Sequence, residues 1–245
     1  MLPHIAPEDL SAVVEGVAGK LLARCGVEQP PVDAIGLAVA LRLTVAWDDA
    51  QQSRARCVRM AGARRGQRGA ILLRPEPRQE RRQWAVAHEI GEHFAWQVFA
   101  GLSLDAAKEE AGIRETIANR LASALLLPGE WFARDGAVRG WQLPLLKQRY
   151  ATASHELIAR RMLDCQPPVL VTIFDHGRRV FRAGNMQSGS EVLLPIEMAC
   201  WRASHESGVP ATRQQPGCAV QAWPIHEPGW RREIMRTSLD EWADW

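Results

Sequence analysis

Apolar residues recur with helical period at the start of the chain. Leu10, Val13, Val14, Val17, Leu21 and Leu22 form one stripe, which predicts a helix from about Pro7 to Cys25. The prolines of "EQPPVD" interrupt it, and Asp33 is placed to cap a short second helix from Ala34 to Leu41. "LTVAW" (Leu43 to Trp47) reads as a strand. "CVRMAGARRGQRGAILL" reads as two short strands about a Gly/Arg-rich turn, the second being Ala70 to Leu73. "RPEPRQ" is punctuation before a long amphipathic helix that starts near Pro77 and ends at about Ala100, with Gly101 as its stop. A second long helix is predicted from about Asp105 to Leu127, ended by Pro128-Gly129.

Beyond Trp131 the period weakens. "LPLLKQRYATASHELIARRML" (Leu143 to Leu163) reads as two short helices parted near Ala151 to Ser154, with Ser154 as the second N-cap and a spacing like that of a helix-turn-helix. From Pro168 the pattern changes to period two. "VLVTIF" and "RRVFRAG" flank "DHG" and predict a hairpin, and the remainder to Trp245 reads as β-rich or irregular. The expected fold class is α+β. The expected segments are a helix-and-sheet domain over 1–132, a helical segment over 133–166 and a small β-rich region of unknown role over 167–245.

This long helix, from near Pro77 to about Ala100, carries the chemistry. It contains "AVAHEIGEHFA", a His-Glu-x-x-Glu pattern with a further histidine, His93, one place late. Successive helical side chains lie about 100° apart, so with His88 at zero Glu92 falls about 40° round, Glu89 about 100° and His93 about 140°. Two registers can hold a metal: His88 and Glu92 as ligands with Glu89 as base, or Glu89 and His93 as ligands with Glu92 as base. Apolar positions Ala87, Gly91, Phe94 and Val98 flank His88 on one side, so His88 and Glu92 border the core while Glu89 and His93 turn toward water. That favours the first register.

A third ligand is available on the next helix. In "RETIANRLASALLLP", Glu115 shares a row with Ala118, Asn119 and Ala122, small residues that permit a close helix–helix approach. A carboxylate buried on such a row is costly unless paired or bound to a cation. His88, Glu92 and Glu115 with a fourth position left to water make an open, catalytic type of site. The plain alternative for either element alone is a solvated helix charge. "His155-Glu156" and "His205-Glu206" lack a ligand four residues on and read as ordinary polar pairs.

Composition narrows the setting. Hydrophobic residues make up 47% and charged residues 24%, as in soluble globular proteins. No apolar run approaches the roughly 18 residues of a membrane span, and the first residues do not form a signal peptide. Five scattered cysteines without a Cys-x-x-Cys pair fit reduced thiols and a cytoplasmic location. The net charge is only +2, but residues 51–82 carry ten arginines against Glu76 and Glu80. Such a run is commonly a solvated face, and it could also attract an acidic partner or a nucleic-acid phosphate; nucleic acid is a possible partner but not the favoured one. The Trp-rich tail (Trp223, Trp230, Trp242, Trp245) reads as core closure. Nothing here indicates the oligomeric state.

The two motifs in order, "AVAHEIGEHFA" then "RETIANRLASALLLPGEWF", resemble those of the ImmA/IrrE-type metallopeptidases, and the resemblance spans about Leu10 to Phe132. It implies a zincin-like, cytoplasmic metal-dependent endopeptidase whose substrate is a helix-turn-helix repressor or similar regulatory protein. It implies His88 and Glu115 as metal ligands and Glu89 as the catalytic general base. The second ligand position falls on Glu92, where the family pattern has histidine. One histidine with two glutamates is a harder, more anionic set, suited to Zn2+ and also to Mn2+ or Fe2+. A degraded site in a non-enzymatic module that binds a repressor, toxin or nucleic acid is the competing reading.

Overall fold

The structure is a computed structural model of the 245-residue chain, and it describes residues 5–58, 69–105, 109–165, 168–186 and 191–239. The architecture is mixed α+β, with eight α-helices and two sheets among the described residues. None of these helices is long and apolar enough to cross a membrane. The chain divides into two compact units: Met1–Phe132 with Gln148–Ser154, and Ala133–Lys147 with His155–Trp245.

The first unit opens with α1 (Pro7–Arg24), whose Leu10, Val14, Val17, Leu21 and Leu22 are buried. It continues with α2 (Ala34–Ala40), capped by Asp33, which accepts a hydrogen bond from the Ile35 N–H at 3.1 Å. A three-stranded sheet follows, made of β1 (Leu43–Trp47), β2 (Ala55–Val58) and β3 (Gly69–Leu73) in the order β1-β3-β2. β1 runs parallel to β3 and β2 antiparallel to it, so β3 is the central strand. The Gly/Arg-rich turn expected from the sequence falls on residues 59–68, which carry four of the ten arginines and lie outside the described residues.

Two long helices complete the unit: α3 (Gln79–Gly101) and α4 (Ala111–Leu126). α3 packs against β2 and β3 on one side and against α4 and α1 on others, so it has more than one buried face. α3 and α4 pack on one another, and Val86, Ile90, Phe94 and Val98 on α3 and Ile117, Leu121 and Leu125 on α4 are each 2% exposed or less. Two glycines set how closely α3 is approached. A Cβ on Gly91 would lie 2.5 Å from the Ala118 carbonyl oxygen, and one on Gly101 would lie 2.6 Å from Val13 Cγ1. Gly101 is therefore a packing residue inside the last turn. The left-handed residue that ends α3 is Ser103, at φ 55°.

Gln83 ties α3 to α2 by donating to Asp33 at 2.7 Å and accepting from the Ala34 N–H at 2.6 Å. α5 (Gly129–Val138) was not anticipated, because the sequence pattern loses its period after Trp131. Its first N–H groups are orphaned by helix geometry, and Gly129 N–H donates to Glu15 on α1 at 2.9 Å.

The second unit holds the two short helices at 143–163, α6 (Leu143–Arg149, of which its last two residues fall in the first unit) and α7 (His155–Arg161), seven residues each. Its sheet has five antiparallel strands: β4 (Val169–Asp175), β5 (Arg178–Gly184), β6 (Ala211–Gln215), β7 (Cys218–Glu227) and β8 (Trp230–Leu239), ordered β5-β4-β8-β7-β6. The β4–β5 turn has His176 and Gly177 at φ 49° and 76°, the two positive values a tight hairpin requires. Between β5 and β6 lies α8 (Pro195–Ser207), which the sequence pattern did not reveal. Cys200 of α8 is packed with Leu170, Phe174, Val220, Ala222 and Met235 of the sheet. Trp223 is buried and Trp230 is exposed, while Trp242 and Trp245 lie outside the described residues.

Candidate metal centre

α3 and α4 carry the residues that could hold an ion. His88 and Glu92 sit one turn apart on α3, as the i, i+4 spacing requires, and Glu115 faces them from the first turns of α4. One ligand atom from each lies within 4.8 Å of the other two. His88 Nε2 is 3.6 Å from a Glu115 carboxylate oxygen. Ligands arranged tetrahedrally at about 2.0–2.2 Å from one ion lie roughly 3.4 Å apart, so this pair needs little adjustment. Glu92 is half-buried and makes no hydrogen bond or ion pair with any described residue. His93, the alternative ligand, instead stacks edge-on to Phe94 and lies with Nδ1 3.9 Å from the Cys57 sulfur.

A residue that sequence reasoning treated only as small proves to be an organiser. Asn119, one turn after Glu115, donates from Nδ2 to Glu115 Oε1 at 3.1 Å and presents Oδ1 to His88 Nδ1 at 3.0 Å. Because Oδ1 can only accept, Nδ1 of His88 must carry the proton. The Nε2 lone pair is then directed at Glu115. This is the support that metal-binding histidines commonly have behind them. The signal in the sequence was the Glu-x-x-x-Asn spacing.

Two expectations about burial are overturned. Glu89 does not turn toward water: it is 6% exposed, more buried than His88 or Glu92. The prediction assumed one apolar stripe, whereas α3 has the sheet on one side and α4 on another. Glu89 faces β2 and accepts the backbone N–H of Cys57. Burial pushes its carboxyl above the ordinary range; the Cys57 N–H opposes this, Glu92 adds to it, His88 opposes and Glu115 adds. Conversely, the Glu115 side chain is not buried but 56% exposed.

The other polar pairs fare differently. Glu156 is held by Arg160 at 2.9 Å and Arg232 at 2.7 Å, an ordinary ion-pair role. His205, read as half of an ordinary polar pair with Glu206, lies with Nδ1 2.9 Å from Glu233, beside His226.

Residues 49–162 match the Peptidase_M78 family, described as the IrrE N-terminal-like domain. That segment matches the family the motifs anticipated. It is also similar in fold to a solved structure titled "Mycobacterium tuberculosis transcriptional regulator", with 15% identity and a TM-score of 0.66 over 95% of this chain and 81% of that one. No curated protein sequence matches the chain.

Proposed function

We propose that the protein is a cytoplasmic metal-dependent endopeptidase that cleaves a regulatory protein, a helix-turn-helix repressor being the favoured substrate. The observation that carries this is the convergence of His88, Glu92 and Glu115 beside a buried Glu89, in a domain of a metallopeptidase family. The neighbour titled a transcriptional regulator supports a regulatory setting for the same fold.

The donor set fits a divalent ion. Glu92 has no described partner for its charge, and His88 presents a lone pair fixed by Asn119. Those two residues and Glu115 would hold Zn2+, or Mn2+ or Fe2+, and the ion would supply Lewis-acid activation of the attacking water and the scissile carbonyl. Glu89 is the general base. Its raised proton affinity brings it closer to neutral pH, where a carboxylate takes up and returns a proton most effectively. It takes the proton of the attacking water and passes it to the departing amine. The Cys57 N–H holds the carboxylate in place meanwhile.

An extended substrate adds to the sheet at an edge. β3 is the central strand of the first sheet and β1 and β2 are its edges; of these two, β2 borders α3. Main-chain pairing there would lay the peptide along Glu89's side of α3.

Glu89→Gln is the decisive variant. It should keep its metal and lose cleavage by about 10²–10⁴-fold. New protein N-termini mapped in cells expressing wild type or the variant give the readout. New termini within a DNA-binding regulator, present only with wild type, are expected; equal termini from both would sink the proposal.

A further inference from the structure

The second unit buries two carboxylates, Glu197 on α8 and Glu233 on β8, and it treats them differently. Glu197 is fully buried and matched by a cation: Arg182 reaches it at 3.0 and 3.2 Å, Thr237 donates at 2.6 Å, and the Leu194 N–H at 2.8 Å. Glu233 is equally buried, at 0% exposed, but no arginine or lysine pairs with it among the described residues. Its partners are His205 Nδ1 at 2.9 Å and His226 Nε2 at 2.6 Å, both on Oε1, and Trp201 Nε1 at 3.3 Å on Oε2. A carboxylate taken fully out of water is costly unless a cation accompanies it.

From this we infer that His205, His226 and Glu233 form a second divalent transition-metal site, of the zinc class, separate from the residues on α3 and α4. The three donors come from three elements: the last turn of α8, the end of β7 and the start of β8. Their ligand atoms lie within 4.8 Å of one another. Two imidazoles and one carboxylate suit zinc, iron or cobalt rather than magnesium or calcium, which prefer oxygen throughout.

The surroundings are those of a supported ligand set. Trp201 donates to the carboxylate oxygen away from the histidines and stacks on the His205 ring at 5.2 Å between centroids, 24° from parallel. The C-terminal end of α8 adds the negative end of its dipole. Both histidine side chains are 26% exposed, so an ion can enter from solvent and keep an open position there. Seating it requires the histidine nitrogens to withdraw from Oε1 by under about 1 Å to ordinary ligand spacing. With the ion in place, α8 is clamped to the β7–β8 hairpin.

The test uses the full-length chain, stripped of metal and titrated with Zn2+ against a chromophoric chelator. His88→Ala disables the α3 set, and this variant should still take up one equivalent; His88→Ala with His226→Ala should take up none. A folded His88→Ala chain that takes up no zinc overturns the inference and leaves a hydrogen-bonded histidine pair. Unmutated protein gives an independent reading. Zinc should protect His205 and His226 from carbethoxylation, mapped by mass spectrometry, and equal labelling with and without zinc also overturns it. If instead wild type loses its only equivalent on His226→Ala, this site stands and the proposed centre at His88 fails.

Discussion

Each unit gathers histidine and glutamate side chains, but they bury opposite members of the set. On α3 and α4 the ligand-type carboxylates, Glu92 and Glu115, keep contact with water, while the carboxylate beside them, Glu89, is buried. Beside α8 the ligand-type carboxylate itself, Glu233, is buried, and the other fully buried carboxylate described there, Glu197, is already bound to Arg182. Holding an ion needs donors at the right spacing. Hydrolysis also needs a base with a raised proton affinity beside them, and among the described residues Glu89 on α3 is such a group. On the two proposals made above, the difference is that between a centre that reacts and one that holds.

Three changes would break or sharpen this contrast. The largest effect is expected at the carboxylate that already has its cation. Glu197→Ala leaves Arg182 buried without a counter-charge and should cost about 3–5 kcal/mol of stability, read from urea unfolding. A cost under about 1 kcal/mol would mean that pairing is not what the α8 face demands of a buried carboxylate.

Next is Asn119→Ala, which releases the tautomer and ring orientation of His88. Metal affinity at the α3–α4 set should fall about 10–100-fold, with uptake at His205, His226 and Glu233 unchanged. Unaltered affinity would show that the hydrogen bond from Asn119 does not organise the site.

The smallest effect concerns Glu89 in metal-free protein. Its folded-state proton affinity is raised above the unfolded value, so its cost is absent below the ordinary glutamate pKa and grows as pH rises through the folded-state value. Glu89→Gln should therefore stabilise chelator-treated protein, more at pH 8 than at pH 5. A stability difference that is constant with pH would contradict the burial argument.

What could be read in advance was local. The stripes of α1, α3 and α4, the Asp33 cap and the β4–β5 turn all follow from contacts within a few residues, and each lies near its predicted place. The proximity of His88 to Glu92 is likewise a matter of one helical turn, and small residues around Glu115 on α4 signalled that it could come close. α8 was hidden because its sequence, "PIEMACWRASHES", mixes polar residues into its buried face; Glu197 and Ser204 are both fully buried. Glu89's burial was misjudged because a helical wheel carries no information about a second packing surface.

By itself, then, the sequence determined the helices, the order of the motifs and the spacing that sets His88 and Glu92 on one face, since these depend on backbone geometry a few residues long. Only the tertiary structure decided which carboxylate is buried, that Asn119 sets the His88 tautomer, that β3 is the central strand of its sheet, and that His205, His226 and Glu233 meet at all. Those outcomes depend on residues brought together from different elements, some far apart in the chain, where burial and charge pairing are set by neighbours that no local pattern names.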